Sequence, residues 1–381
     1  MTELLYYKDA YIKEFDATVI SCDECDEGYL TVLDRTAFFP EEGGQYADTG
    51  FIAGARVTDG RIKDGVVYHL TDTALTVGEE VHCTLDFDGR FEKMQCHSAE
   101  HLLSGLIHTH FGFDNVGFHL SREYVTFDVS APLLREQLDF IETLANLAVY
   151  ENRKITAAFP TPEELSGMDY RAKLELSENV RIVTVDGYDA CACCAPHVCS
   201  TGEIGVIKLL DFEKHKGGVR IYMTAGKRAL IDYRARYTAI RKISEILSEP
   251  QATVADAVSA RCKALSELEY KLREARLAIV DLRAEAIPRT DGNAVALLQD
   301  FSMDELREFS NRAIDKVGGF LVALSGSEGA YKYVIIKRGD DISGEVKKIN
   351  ATLGGRGGGR GEMVQGSFCA TLADIEKYFL S

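Results

Sequence analysis

The stretch CACCAPHVC at positions 191–199 holds four of the chain's ten cysteines and one histidine, His197. Far earlier, in QCHSAEHLLSG, His97 and His101 stand four apart. On a helix that spacing puts both imidazoles on one face, a common way to offer two nitrogens to one metal ion. By itself the pair also fits two partly buried histidines without a ligand. A zinc-protease helix carries Glu directly after its first His. Here Ser98 holds that place and Glu100 points elsewhere on the helix, so that chemistry is set aside. Zinc takes four ligands from Cys and His in a tetrahedron. His97 and His101 supply two, and one cysteine with His197 completes the set. Spacing alone does not choose among Cys191, Cys193, Cys194 and Cys199. The competing readings are small side chains packing a core, or a redox pair from Cys191 and Cys194. No thioredoxin-like βαβ pattern surrounds that pair. Cys22 and Cys25 lie in an acidic hairpin, with no second pair at zinc-ribbon spacing, and read as an exposed turn.

Two glycine-rich segments are further candidates. In DRTAFFPEEGGQYADTG (34–50), adjacent glycines let a backbone approach a ligand closely, with Thr36, Gln45 and Asp48 in or beside the loop. An ordinary β-turn is the bland alternative. GGRGGGRGEMVQG lacks the Lys-Ser/Thr ending of a P-loop, but its arginines suit a polyanion. ATLADIEKYFL follows as a closing helix, which argues against a mere tail.

The elements that must position these residues are legible in outline. Residues 4–88 read as short strands with Gly and Asp turns, a small antiparallel barrel or sandwich. Residues 89–110 change to a helical period. A strand at 123–130, a helix at 135–155 and short strands to about residue 224 follow. Residues 225–287 are helical and split at Pro250. In the second half Leu265, Leu268, Leu272, Ala275, Ile279, Leu282 and Ala286 alternate three and four apart, a coiled-coil-like seam. Leu230, Tyr233, Tyr237, Ile240 and Leu247 answer from the first, so an antiparallel hairpin is expected, with a parallel dimeric coiled coil as its rival. After Pro288 strands and helices alternate, one helix opening on the capping box Ser302-x-x-Glu305.

Bulk properties fit an intracellular protein of two or three domains. The hydrophobic share is 46% and the formal net charge is −17. The N-terminus shows no secretory pattern, and no apolar run reaches membrane-spanning length. So negative a chain is not a general nucleic-acid coat. The stretch 332–360 departs from this balance, with seven cationic residues, Lys332, Lys337, Arg338, Lys347, Lys348, Arg356 and Arg360, against Asp340, Asp341 and Glu345.

In this order, LDRTAFFPEEGGQYADTG, CHSAEHLLSG, CCAPHVCSTGEIGVIKL, KGGVRIYMTAG and LGGRGGGRGEMVQG resemble stand-alone alanyl-tRNA editing proteins of the long AlaX type. These are related to the editing and C-terminal domains of alanyl-tRNA synthetase, and the resemblance covers nearly the whole chain. It implies an α+β protein: a β-barrel domain at 1–88 with the GGQ loop, an α+β editing domain at 89–228 with one Zn2+, a helical hairpin at 229–287 and a DHHA1-like domain at 288–381. The HxxxH ligands fall on His97 and His101, and the CxxxH ligands on Cys193 and His197. Cys194, Ala195 and Pro196 replace the family's usual two small residues and a Thr. Gln45 matches the GGQ glutamine and Thr36 a residue of the amino-acid pocket. The implied reaction is hydrolysis of seryl- or glycyl-tRNA(Ala) in the cytoplasm. Thr36, Gln45 or the metal would read the serine hydroxyl. No general base stands out, Glu100 and Asp48 being the carboxylates to consider. Arg356, Arg360, Lys347 and Lys348 would contact tRNA, and the C-terminal domain would carry a homodimer contact. The alternative is a zinc-stabilised tRNA-binding module without hydrolytic activity.

Overall fold

The computed structural model describes residues 1–122, 124–172 and 180–381. The chain divides into two compact units, Met1–Lys242 and Ile243–Ser381.

In the first unit six strands close a barrel, in the order Glu14–Cys25, Gly28–Leu33, Val66–Thr71, Ala55–Lys63, Gly50–Ile52 and Glu80–Leu85, the last pairing back to the first. Alternation along these strands turns Ala17, Val19, Leu33, Ile52, Val57, Val81 and Cys83 inward around Phe38. The barrel leads into the helix Phe87–Phe111. Asp86 caps its start by accepting from Gly89 N–H, and Gly112, at φ 70°, ends it in a left-handed turn. This helix is buried almost all round: every residue from Lys93 to Ile107 is buried.

Two sheets and a second helix enclose it. One sheet runs Ile207–His215, Gly218–Ala225, Val125–Val129, Asn115–Leu120. The other runs Ile155–Ala158, Ile182–Val185, Asp189–Ala192. The helix Arg135–Glu151 stops at Asn152, at φ 52°, earlier than the expected residue 155 because Asn accepts a left-handed backbone. The expected strand at 123–130 is seen as Val125–Val129; Glu123 lies outside the described residues, as do 173–179 within the expected run of short strands. Gly105 lets the buried helix lie against the second sheet, since a Cβ there would stand 2.7 Å from Asp189 Cβ and 2.8 Å from Tyr188 O.

In the second unit a five-stranded sheet is ordered Ala294–Leu297, Leu321–Ser327, Ala330–Ile336, Met363–Phe368, Arg356–Gly358. Helices Val254–Glu285 and Met303–Ala313 share one core with it, and Glu345–Leu353 and Leu372–Leu380 share another. The capping box at Ser302 forms as the sequence predicts. The glycine-rich segment is the edge strand of this sheet, with Arg356 and Arg360 exposed.

The helical region breaks at Pro250 into Gly226–Leu247 and Val254–Glu285. Its expected seam is not where the burial falls. Leu265, Leu268, Leu272, Ile279 and Leu282 are 47–66% exposed, whereas Val280 and Ala284 are buried in the core of the second unit. That core takes a different face of the helix, because Leu306, Phe309 and Ala313 of the neighbouring helix meet it there.

Candidate metal centre

His97 and His101 project from the middle of the buried helix, and Cys193 and His197 come from the turn that follows strand Asp189–Ala192. Arg181 holds that turn from outside: its Nη1 donates to Cys193 O at 2.9 Å and Ala195 O at 2.8 Å. Inside, Ala195 N–H points at Cys193 Sγ, 3.4 Å away. One ligand atom from each of His97, His101, Cys193 and His197 lies within 4.8 Å of all the others. Cys193 Sγ is 3.6 Å from His97 Nε2 and 3.3 Å from His197 Nε2. A tetrahedral zinc with ordinary Zn–S and Zn–N bonds sets sulfur and nitrogen about 3.6 Å apart. The four residues therefore fit zinc in donor type, number and spacing.

The far side of each ring is occupied too. His97 Nδ1 meets Gln45 Oε1 at 3.0 Å, and His197 Nδ1 meets Ser98 Oγ at 2.9 Å. His101 Nδ1 faces Asp189 Oδ2 at 3.6 Å, an ion-pair distance. Arg171 grips Asp189 with two bonds, 2.8 and 2.9 Å. Such partners orient an imidazole and fix which nitrogen is left for a metal. The Phe118 ring covers His97 at 4.4 Å.

The electrostatics match a metal ligand set. Burial pushes the Cys193 thiol up, but the three imidazoles around it outweigh burial and hold it well below the usual cysteine value. Burial likewise lowers His101, and Cys193 with Asp189 overcomes that and leaves it well above the ordinary value. His197, dominated by burial, is pushed down to about 3. A thiol poised to ionise among imidazoles is the donor set zinc requires.

Of the remaining thiols, Cys191 is buried, and burial raises its pKa. It shares a smaller cluster with His101 and Asp189, but Arg171 already neutralises that carboxylate. Cys194 points away toward the glycine loop. Its Sγ lies 3.0 Å from where a Cβ on Gly43 would sit, and burial raises its pKa. Cys199 is exposed. Cys22 and Cys25 join no metal-capable cluster among the described residues.

The GGQ loop is a tight two-residue turn. Glu42 and Gln45 exchange backbone hydrogen bonds of 3.1 and 3.0 Å across Gly43 and Gly44, whose φ values are 61° and 80°. A Cβ on Gly44 would stand 2.3 Å from Phe118 O. The turn is thus laid directly on the strand that carries Phe118, which delivers Gln45 to His97. Gln45 Nε2 is buried and has no hydrogen-bond partner among the described residues. Thr36 is buried in the barrel domain, 2.9 Å from His69 Nε2, and accepts from Phe38 N–H at 3.1 Å. His69 Nδ1 donates to Thr31 O, and burial pushes His69 down to about 4, so its Nε2 takes the Thr36 proton.

Neither carboxylate suggested as a base is available as one. Asp48 is fully buried between Arg90, whose Nε donates to it at 2.7 Å, and Lys93 at 2.6 Å. Burial raises its pKa, and the two cations override that and hold it at about 2. Glu100 accepts from Ser104 Oγ at 2.5 Å and from Asn115 Nδ2.

Two family models match the chain. Residues 180–222 match the "Threonyl and Alanyl tRNA synthetase second additional domain", and residues 3–88 match "tRNA synthetases class II (A)". Among curated proteins, the alanine–tRNA ligase of Ignicoccus hospitalis is 32% identical over 94% of this chain and 40% of its own length. That of Halobacterium salinarum is 33% identical over 91% of this chain and 40% of the ligase. The chain thus spans well under half of the ligases it matches. The "Alanyl-tRNA editing protein AlaX-L" of Pyrococcus horikoshii is 27% identical over 98% of this chain and 96% of that protein. The chain is thus similar from end to end to an alanyl-tRNA editing protein, matches the synthetase models over 3–88 and 180–222, and gathers its HxxxH and CxxxH residues in one cluster.

Proposed function

We propose that the protein hydrolyses the ester that joins serine or glycine to tRNA(Ala), in a pocket organised by one Zn2+ per chain. The observation that carries this reading is the convergence of His97, His101, Cys193 and His197 in a chain similar end to end to a protein named for alanyl-tRNA editing. Editing of this kind answers a physical problem: a synthetase pocket discriminates weakly against near-isosteres of its substrate.

Four protein ligands are the closed pattern of a zinc that shapes a site; bound there, the metal supplies positive charge for an ester oxygen or for water. The protein's own residues do the selecting. Among the described residues Gln45 keeps an unpaired buried N–H donor, while the Thr36 hydroxyl proton is already engaged by His69. Gln45 is therefore the better donor to a seryl hydroxyl or to the ester carbonyl, and Thr36 contributes a lone pair. An ester is activated enough that a positioned water suffices for attack.

In the second unit, Lys347, Lys348, Arg356 and Arg360 are exposed and would hold tRNA phosphates, making this the DHHA1-like tRNA-binding or dimerisation domain. A cytoplasmic location belongs to the same reading.

The test is incubation of the purified chain with seryl-, glycyl- and alanyl-tRNA(Ala), with and without a chelator. Deacylation of a mischarged species with alanyl-tRNA spared is the expected result. The closed ligand set favours one rival, a zinc-stabilised tRNA-binding module. Tight tRNA binding with no release of serine or glycine would replace the hydrolase reading with that one.

A further inference from the structure

One cleft in the first unit, of about 310 Å³, lies beside the GGQ loop and takes no part in the metal cluster. Arg56, Lys93 and Arg122 line it, together with Tyr46, the residue after Gln45, and Asp86. Lys93 Nζ stands 4.5 Å from the centre of the Tyr46 ring and the Arg122 guanidinium 5.8 Å from it. Arg228 Nη2 donates to the Tyr46 hydroxyl at 2.9 Å, and its Nη1 donates to Ser121 O at 2.9 Å. Three cations thus surround one half-buried aromatic ring.

Charge explains what such a cleft is for. Arg90 and Lys93 share the single carboxylate of Asp48, all three buried. Asp86 beside Lys93, and Glu92 at 3.6 Å from Arg228, offset further positive charge, so the attraction rests on the cations at the mouth. Arg56 and Arg122 are exposed at its mouth. Asp86 is the opposing charge in the lining, and it is engaged in capping the helix. In a chain of net charge −17, a local cationic cleft is where a polyanion can approach. A cationic groove flanked by an aromatic ring is the chemistry that holds single-stranded nucleic acid.

We propose that this cleft binds the phosphodiester backbone of an unpaired RNA end, with Arg56 and Arg122 on phosphates and Tyr46 against a base or sugar. The proposal rests on the editing reading and deepens it. Tyr46 is covalently next to Gln45, which meets His97, so a strand held here is led toward the metal cluster.

The test uses the full zinc-loaded chain and uncharged tRNA(Ala) as probe, with binding measured over a series of salt concentrations, for the wild type, Arg56→Ala/Arg122→Ala and Arg56→Lys/Arg122→Lys. Two single-strand phosphate contacts contribute about 0.7 each to the salt slope. The alanine variant should therefore bind about tenfold more weakly near 0.15 M salt, with a slope shallower by about 1.4. The lysine variant should restore most of both. Unchanged affinity and slope in the alanine variant would overturn the cleft, and so would a loss that lysine does not restore. Seryl-tRNA(Ala) turnover is read separately. An intact kcat with raised KM supports the cleft, whereas a wild type that binds tRNA but never deacylates it removes the hydrolase reading and leaves the binding result to judge the cleft.

Discussion

Ser98 stands where a zinc protease has its glutamate, and the structure gives it a different task, holding His197 Nδ1 at 2.9 Å. Partners of this kind change metal affinity by about 10–100-fold. Ser98→Ala should therefore bind zinc about tenfold or more weakly in a competition titration while keeping the fold; unchanged affinity would show that the serine does not orient the ring. Cys193 and Cys194 differ in the same direct way. Cys193→Ala should lose stoichiometric zinc by elemental analysis, and Cys194→Ala should keep it, since that thiol faces Gly43. The three histidines of the cluster were legible from residue type and spacing, whereas Cys193 was singled out among four thiols only by the family resemblance. Ser98, Asp189 and Arg171 were not legible, because an orienting partner is defined by where a side chain ends in space. Ser98 alone left a trace, one residue after His97 on the same helix.

The buried helix is the element on which the site depends, and its first turns carry charge into the core. Removing one partner from a buried ion-pair group costs about 3–5 kcal/mol. Asp48→Asn strands Arg90 and Lys93 in a dry interior, so it should lower unfolding free energy in urea by about that amount. The pair also sets a pH window. A carboxyl held at about 2 in the folded chain sits below its ordinary value. Its contribution is complete above about pH 4 and disappears as pH falls toward about 2. Asp48→Asn should flatten the acid limb of the stability curve there; an identical limb would place acid sensitivity elsewhere. In the GGQ loop, Gly44→Ala must move either the turn or the strand bearing Phe118. The helix itself and the capping box at Ser302 could be read from period and residue type. The seam of Val254–Glu285 misled, because two apolar stripes share that helix and the core takes the one through Val280 and Ala284.

At the scale of the whole molecule, one unit carries the cluster and the other displays the exposed Lys347, Lys348, Arg356 and Arg360. The exposed leucines at 265, 268, 272 and 282 form a long apolar stripe apart from the one that meets the core through Val280 and Ala284. If a second copy covers it, the chain should elute as a dimer by light scattering and Leu268→Glu/Leu272→Glu as a monomer; a wild-type monomer at high micromolar concentration would remove that role. The central claim is that His97, His101, Cys193 and His197 form one metal site on which editing depends. Its most direct measurement is zinc content and seryl-tRNA(Ala) deacylation on a single preparation of His101→Ala beside the wild type. The expected result is about one zinc per chain and active deacylation in the wild type, with both lost together in the variant. A variant that keeps full zinc, or one that loses zinc and deacylates at the wild-type rate, would contradict it.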